Sequence, residues 1–433
     1  MKRWSTLLLI AALCLALCAC SVPGVTLPTL PPTAAPTAEP TPEPTPEPTP
    51  EPTPEPTAEP TPEPLREERV TVSIGRDETN AMDPQTGEIC ILRFTCDTPV
   101  VTMEQHPEAA RKINEFIAMQ NEAFYTGEDY GEGYGTGYNN LLTLAEDNYV
   151  YQVESGAESP DFEMSADRRA AVMRNDGVVL SLLLNDYVYA GGAHGSALTR
   201  AYCFDAATGE LLTLASVSTD EAALSILLTD AMLREVAASP ELQERIYLQP
   251  EELNDAIHGL LREGSWYLDY EGIVVFSDDY ELSSHAAGPI SFRIPYDAAA
   301  GYLLPRYIPE APEDDAVFRV LPADSMDDGG TEIVDMVKIE DGGAELYLVA
   351  DGTAHDVRLI SVGYSGRFYE TALRWSCSRM EDCAVQLSAM IPDGMPNLKI
   401  SYHSHDGVQN LYLTESGEDG SLILADDSIE AIG

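Results

Sequence analysis

One histidine of the sequence stands where it could do acid–base chemistry. His194 lies in the glycine-rich stretch of residues 189–210, YAGGAHGSALTRAYCFDAATGE, and Ser196, Thr199 and Asp205 follow it. A histidine that acts as a general base needs a nucleophile within reach and a third group that orients the imidazole. These three residues form an unspecific set, and the sequence has no G-x-S-x-G nucleophile elbow. The pattern therefore gives little support to catalysis at His194.

The same stretch has the composition of a tight loop. Three of its five central residues are glycine, in the order Gly191, Gly192, Ala193, His194 and Gly195. Glycine is favoured where the backbone needs a positive φ or where another part of the chain comes very close. The sequence favours a structural turn with a hydrogen-bonded imidazole, and a binding loop is the alternative that stays open.

A second group of histidines could bind a metal ion. His403 and His405 share one face of an extended chain, and Asp406 stands beside them. Zinc would need a third ligand from elsewhere, for which His355 is a candidate only by default. A solvated hairpin end followed by an Asp-Gly turn accounts for the same residues without a metal, and we favour that interpretation.

Other chemistry leaves no clear mark in the sequence. The acidic pairs at 278–279 and 327–328 lack the alternating oxygen ligands of a calcium loop. No nucleotide-binding or metalloprotease motif occurs, so no cofactor is predicted. Paired carboxylates for glycoside hydrolysis stay open, because such pairing is spatial and is not visible in one sequence.

The elements around these residues predict a chain of mixed helices and strands. Residues 67–186 form the first predicted α+β unit, with strands at 70–74, 89–95, 148–153 and 178–184 and one helix from 107 to 124. A Gly-rich acidic stretch inside it favours a mobile insertion, with an adaptable binding surface as the alternative. Its tyrosines are Tyr125, Tyr130, Tyr134 and Tyr138.

Residues 187–307 form the second predicted α+β unit. Its first strand leads into the glycine loop, and the next strand runs through Phe204. Helices are predicted to begin near Asp220, which resembles part of a capping box, and at Pro250. Strands follow at 272–276 and 290–295. The predicted fold is therefore a tandem of two-layer modules with helices on antiparallel sheet.

The last part of the chain, residues 312–433, shows a different pattern. Short strands separated by Asp-Gly, Gly-Gly and Ser-Gly turns are predicted near 317, 333, 345, 357, 368, 384, 397, 409 and 421. No clear helical stretch interrupts them. We expect a separate all-β domain that resembles a sandwich.

The N-terminal region predicts export and a lipid anchor. Residues 1–20 have a basic start, a short apolar run and small residues before Cys20, which is typical of a signal peptide. Leu17, Ala19 and Cys20 resemble the bacterial lipobox, which implies cleavage before Cys20 and a diacylglycerol on its sulfur. Residues 21–66 are rich in Thr-Pro-Glu-Pro repeats and predict an extended, disordered stalk. We expect a protein held on the outer face of the bacterial cell membrane.

The charge of the chain restricts its partners. The whole sequence carries a formal charge of −49. Removing Lys2 and Arg3 with the leader leaves 22 basic against 73 acidic residues, or −51, and leaving out the seven glutamates of the stalk still gives −44. Such a charge disfavours nucleic acid and anionic surfaces and favours cationic partners, although for the charge taken alone we favour a merely solubilising acidic surface.

Five cysteines lie beyond Cys20, an odd number that leaves at least one thiol unpaired within the chain. Cys90 and Cys96 alternate onto one strand face and are predicted to be core thiols. Cys377 and Cys383 flank a predicted hairpin and could form a disulfide.

Two stretches resemble a known extracellular module, the domain of unknown function 3298. The first is YVYAGGAHGSALTRAYCFDAATGELLTL and the second is GIVVFSDDYELSSHAAGPISFRIPY. The second departs from the family at Asp279, where a proline is usual, and it matches at Ala286, Ala287 and Gly288. Residues 67–186 resemble more weakly the domain of unknown function 4163, which commonly precedes this module.

The resemblance implies a binding role outside the cell. In this family the tandem occurs in lysozyme-sensing anti-sigma factors, where it binds lysozyme, and in front of the catalytic domain of some peptidoglycan deacetylases. The implied binding residues are those of the two loops: Gly191, Gly192, Ala193, His194, Gly195, Ala286, Ala287, Gly288 and Pro289.

Three hypotheses follow for the function. The first is a lipid-anchored protein that binds a lysozyme-like basic protein or the cell wall. The second is an enzyme or accessory factor that acts on peptidoglycan, and the third is a purely structural surface protein. The sequence favours binding over catalysis and leaves the identity of the ligand open.

Overall fold

The computed structural model describes residues 69–128, 137–156, 163–312, 316–326, 330–339, 343–365, 368–389, 397–415 and 421–426. The predicted signal peptide, Cys20, the stalk, Tyr130, Tyr134 and the acidic pair at 327–328 lie outside the described residues. Within the described part of the chain, no helix is both long and apolar enough to cross a membrane.

Fifteen strands and six α-helices are present in the described residues. The helices are α1 Pro107–Thr126, α2 Tyr138–Glu154, α3 Leu214–Val217, α4 Glu221–Ala238, α5 Pro240–Arg245 and α6 Pro250–Gly259. The strands are β1 Val70–Met82, β2 Cys90–Met103, β3 Met164–Asn175, β4 Val179–Tyr189, β5 Ser196–Asp205, β6 Trp266–Leu268, β7 Gly272–Phe276, β8 Ser291–Pro295, β9 Val317–Pro322, β10 Glu332–Lys338, β11 Ala344–Ser365, β12 Phe368–Ala389, β13 Leu398–Ser404, β14 Gly407–Glu415 and β15 Leu422–Ala425.

Twelve of these strands belong to one sheet, which is mostly antiparallel. Its order is β15-β14-β13-β11-β12-β1-β2-β3-β4-β5, while β9 pairs with β11 and β10 pairs with β12. Strands β6, β7 and β8 form a separate antiparallel sheet of three. The mixed helix-and-strand character predicted from the sequence is confirmed. The predicted tandem of modules remains a prediction.

The parallel pairing of β2 with β3 explains where the first helices lie. A parallel pair needs a connection that crosses back over the sheet, and α1 and α2 lie on that connection. The predicted strand at 148–153 is wrong, because those residues belong to α2. Leu141, Ala145 and Tyr149 are its buried residues, and their spacing of four is the period of a helix face.

Strand β3 has no counterpart in the sequence prediction. Its burial alternates from Met164 to Arg174, so the inward positions of this stretch are spaced by two, and Asn175 after it is buried as well. Two of those positions are occupied by Arg168 and Arg174, which are 1% and 0% exposed. Charged residues are rarely buried unless they are paired, so a sequence pattern does not predict arginines at inward positions. With two of them there, the sequence of β3 lacks the apolar alternation that indicates a strand.

The helices of the second predicted unit begin where their capping residues predict. Asp220 caps α4 by accepting a hydrogen bond from the backbone N–H of Ala223 at 3.1 Å. Pro250 is the first residue of α6, where its missing N–H costs no helical hydrogen bond. The helices pack with the small sheet around a core that includes Leu228, Phe292 and Tyr307.

The all-β character of the C-terminal strands is observed, but their separation from the rest is not. Strand β12 pairs with β1, with Cys377 opposite Thr71, so the last strands continue the sheet of the first ones. Strand β4 also runs unbroken across the predicted boundary between 186 and 187. Backbone hydrogen bonds between the strands of one sheet therefore join all three predicted regions.

The predicted hairpin between Cys377 and Cys383 is wrong. Both cysteines lie on β12, which passes through this region as one strand. Asp382 takes up the irregularity with a φ of 44°, and the register with β11 shifts between Ala350 and Thr353. The two thiols are free and buried, so no disulfide joins them.

Candidate functional site

The glycine loop between β4 and β5 needs its glycines for two different reasons. Gly191 and Gly192 have φ values of 93° and 96°, a conformation that disfavours other residues. Gly195 is instead fixed by a close approach, because a Cβ there would lie 2.4 Å from the ring of Tyr187. The loop therefore places His194 at the surface and holds the Tyr187 ring beside it.

A second loop comes from the connection between β7 and β8. His285, Ala286 and Ala287 form one turn of 3-10 helix that ends at Gly288, whose φ is 72°. Arg245 fixes this turn by donating hydrogen bonds to the carbonyl oxygens of Ala287 at 3.1 Å and Pro289 at 2.9 Å. An arginine of α5 therefore holds the residues of this second loop that the family resemblance implies.

The structure brings the two loops into contact through a pair of histidines. The rings of His194 and His285 stack with their centroids 4.1 Å apart and their planes 19° apart. Nδ1 of His285 lies 2.7 Å from Oδ2 of Asp279, and Nδ1 of His194 lies 2.8 Å from the carbonyl oxygen of Gly195. His285 is not among the site residues predicted from the sequence, although it stands directly before the Ala-Ala-Gly run.

Exposed tyrosines surround the histidine pair. The exposed fractions are 44% for Tyr187, 51% for Tyr247 and 56% for Tyr280. The ring of Tyr280 stacks 6.2 Å from that of His285, and the hydroxyl of Tyr247 donates to the carbonyl oxygen of Tyr280. We refer to Tyr187, His194, Tyr247, Tyr280 and His285 as the double-histidine surface.

Charges beside the double-histidine surface are mostly balanced. Asp278 forms ion pairs with Arg200 at 2.9 Å and with Arg262 at 3.5 Å. Glu281 pairs with the same Arg262 at 2.7 Å. The surface therefore presents aromatic rings between paired charges, and the acidity of the whole chain is not concentrated in these contacts.

The residues considered for catalysis are not brought together around His194. Thr199 donates from its hydroxyl to Asn185 at 3.0 Å. Asp205 lies at the other end of β5, on the order of 30 Å along the strand. There it accepts hydrogen bonds from the backbone of the following turn. Ser196 is the first residue of β5 and pairs with Val188.

The histidines considered for metal binding separate into two places. His355 and His403 lie directly opposite each other on β11 and β13. His405 is 61% exposed and contacts Asp406, with 3.2 Å between nitrogen and oxygen. Among the residues that the structure describes, no group of three or more His, Cys, Asp or Glu side chains is arranged to hold a metal ion.

Comparison with known proteins identifies part of this region. A family model described as "Protein of unknown function (DUF3298)" matches residues 221–297. Residues 221–297 form a DUF3298 domain. It begins with α4 and ends after β8, so it contains Tyr247, Tyr280 and His285, whereas the loop at 191–195 lies before it.

Two solved structures of DUF3298 proteins are similar to the chain. A member of the family from Bacteroides fragilis is 19% identical, covers 54% of this chain and 94% of its own, and gives a TM-score of 0.40. A family protein from Pseudomonas aeruginosa is 17% identical, covers 55% of this chain and 97% of its own, and gives a TM-score of 0.37. No curated protein matches the chain.

Proposed function

We propose that this chain is a lipid-anchored extracellular binding protein that recognises a lysozyme-like basic protein through the double-histidine surface. The observation that carries the proposal is the contact between the two loops. His194, outside the DUF3298 domain, stacks on His285 inside it. The surrounding tyrosines offer large, rigid contact area with little loss of conformational freedom, which is typical of recognition surfaces.

Long-range charge attraction and short-range contacts would affect different rates of lysozyme binding. The charge of −51 on the chain without its leader attracts a cation from a distance and speeds encounter. The double-histidine surface, with its neighbouring charges paired, would supply the short-range contacts that slow dissociation. Salt should therefore lower the association rate much more than it raises the dissociation rate.

Two finer parts of the proposal concern regions before the DUF3298 domain. We propose that residues 67–186 correspond to the domain of unknown function 4163, which would make the chain the binding half of a known tandem. We also propose that Cys20 carries the lipid. Replacing Cys20 by alanine should then move the protein out of the membrane fraction, and unchanged membrane association of Cys20→Ala would contradict the anchor.

The experiment titrates the full chain in detergent with a lysozyme and, separately, with an unrelated protein of equal basic charge. Both titrations are run at low and at physiological salt. Saturable binding of the lysozyme alone at physiological salt supports the proposal. Equal binding of both proteins that vanishes with salt would contradict it and direct the search to peptidoglycan fragments, for which product release would test the enzymatic alternative.

Two glycine variants test whether the surface itself is responsible. Gly195→Ala places a methyl group against the Tyr187 ring and must displace it, whereas Gly192→Ala meets nothing within 4 Å. The control change costs about 1–2 kcal/mol of backbone strain through its φ of 96° but leaves the aromatic rings in place. We expect Gly195→Ala to weaken lysozyme binding more than Gly192→Ala does, and the reverse order would remove Tyr187 from the interface.

A further inference from the structure

A second concave site lies away from the double-histidine surface, where the three predicted regions of the chain meet. This cleft has a volume of about 580 Å³, which is within the range of small-molecule sites. Arg174 and Asp176 from the end of β3 line one side. Tyr270 and the proline-rich segment 305–312 line another, and β11, β12 and β13 supply the rest.

Three side chains form a row across the floor of the cleft. His403 on β13 lies opposite His355 on β11, and His355 lies opposite Arg379 on β12. Residues that are directly opposite in neighbouring strands project from the same face of the sheet, a few ångströms apart. The ring of Tyr270 closes one end of the row, 4.0 Å from that of His403.

Two hydrogen-bond donors of this cleft have no partner among the described residues. They are the hydroxyl of Tyr270 and Nε of Arg379, and both atoms are buried. Buried donors in folded proteins are nearly always satisfied by protein, water or ligand. Because the two donors stand at opposite ends of the row, a single occupant could accept from both.

The occupant of the cleft must accept hydrogen bonds, because the arginines that line it are paired with acidic residues and two of its donors are left unsatisfied. Three arginines line it against one aspartate and one glutamate, although the chain as a whole is strongly acidic. Arg174 is paired with Asp176 at 2.6 Å, Arg306 with Asp205 at 3.2 Å, and Nη2 of Arg379 with Glu381 at 3.1 Å. Burial lowers the pKa of His403, so this imidazole is neutral and adds no charge.

We propose that the cleft binds a small organic carboxylate. The carboxylate group would accept a hydrogen bond from one of the two donors. Because the donors stand at opposite ends of the row, a second polar group of the same ligand would accept from the other donor. Its apolar part would lie against Val178, Ile308 and Pro309, which line the same cleft. The ligand could be a free acid or the terminal carboxylate of a peptide.

Calorimetric titration of the full chain tests this site with defined probes. Butyrate represents a free acid and N-acetyl-alanyl-alanine represents a peptide terminus, while the neutral amide of each is its matched control. We expect at least one acid to bind saturably and its amide to bind at least tenfold more weakly. The tighter of the two acids identifies the source. Equal binding of acid and amide, or binding of inorganic phosphate in preference to both acids, would overturn the proposal.

Variants assign the binding to the two donors. Tyr270→Phe removes only the hydroxyl, and Arg379→Lys keeps the charge but removes Nε. Each should weaken binding of N-acetyl-alanyl-alanine, whose carboxylate and peptide carbonyl groups can reach both donors, about tenfold or more. Arg319→Lys is the matched control, because Arg319 is half-exposed on β9, pairs with Asp351, and lies outside the cleft. Unchanged affinity of Tyr270→Phe, which should fold normally, would show that the hydroxyl binds water only and would overturn the assignment.

Discussion

Tyr280 allows the contributions of the double-histidine surface to binding and to stability to be separated. It is one of three described non-glycine residues with positive φ, at 65°, and its ring is 56% exposed. A side chain in this conformation costs about 1–2 kcal/mol. Tyr280→Gly would remove that strain, while the added freedom of the unfolded chain costs about 0.5–1 kcal/mol.

The remaining contribution is the buried part of the tyrosine ring. Full burial of a large apolar side chain stabilises a protein by about 1.5–3 kcal/mol, so a ring less than half buried contributes about 1 kcal/mol. These contributions nearly cancel. We therefore expect Tyr280→Gly to have a free energy of unfolding within about 1 kcal/mol of the parent. Loss of a tyrosine from the centre of an interface should weaken lysozyme binding by about tenfold or more.

Asp356 provides the control for the same substitution. Its φ is 45°, but its carboxylate is buried and receives a hydrogen bond from Nε of Arg358 at 2.9 Å. Asp356→Gly leaves that arginine without its ion-pair partner, and loss of one member of a buried pair costs about 3–5 kcal/mol. Urea unfolding of the three proteins gives the comparison. A loss of more than about 2 kcal/mol in Tyr280→Gly would refute the assignment of Tyr280 to recognition.

Three further predictions concern the interior. Asp186 accepts two hydrogen bonds of 2.6 Å from Arg168, and both side chains are 1% exposed. Asp186→Asn should therefore lower the free energy of unfolding by about 3 kcal/mol. A loss of less than about 1 kcal/mol in urea unfolding would contradict this. Tyr270→Phe without added ligand should raise the melting temperature, because it removes an unpartnered buried hydroxyl worth about 1 kcal/mol, and a lower melting temperature would count against that. Burial raises the pKa of Cys377 to about 12, so above the ordinary pKa of a thiol only the unfolded chain loses this proton. The free energy of unfolding should therefore fall by about 1.4 kcal/mol per pH unit from about pH 9 upward. Unfolding measured from pH 8 to 10.5 should fall less steeply in Cys377→Ala, and equal slopes would contradict the shift.

The sequence predicted best those elements whose ends carry a local signal. Pro107, Asp220 and Pro250 mark the beginnings of α1, α4 and α6, because capping and the fixed φ of proline act within one turn of helix. The strands missed or wrongly divided have polar residues inside. β3 carries two buried arginines, and the polar residues between Cys377 and Cys383 lie within β12 instead of in a turn.

The candidate site was visible only in part for a related reason. Gly191 and Gly192 show their role in the sequence, because positive φ is a local requirement of the chain. The stacking of His194 on His285 depends on how β5 and the DUF3298 domain pack, which no spacing in the sequence reports. The row from His403 to Arg379 likewise depends on the register of three strands.

Hydroxyl-radical footprinting of the full chain with and without a lysozyme tests the central proposal most directly. The reagent modifies exposed tyrosine and histidine rings. The reactivity of each exposed ring of the double-histidine surface therefore shows whether lysozyme covers that ring. We predict that a saturating lysozyme protects Tyr187, Tyr247, Tyr280 and His194, while Tyr151 on α2, which is 70% exposed, keeps its reactivity. Saturable binding that leaves these rings as reactive as before, or that protects Tyr151 instead, would contradict it.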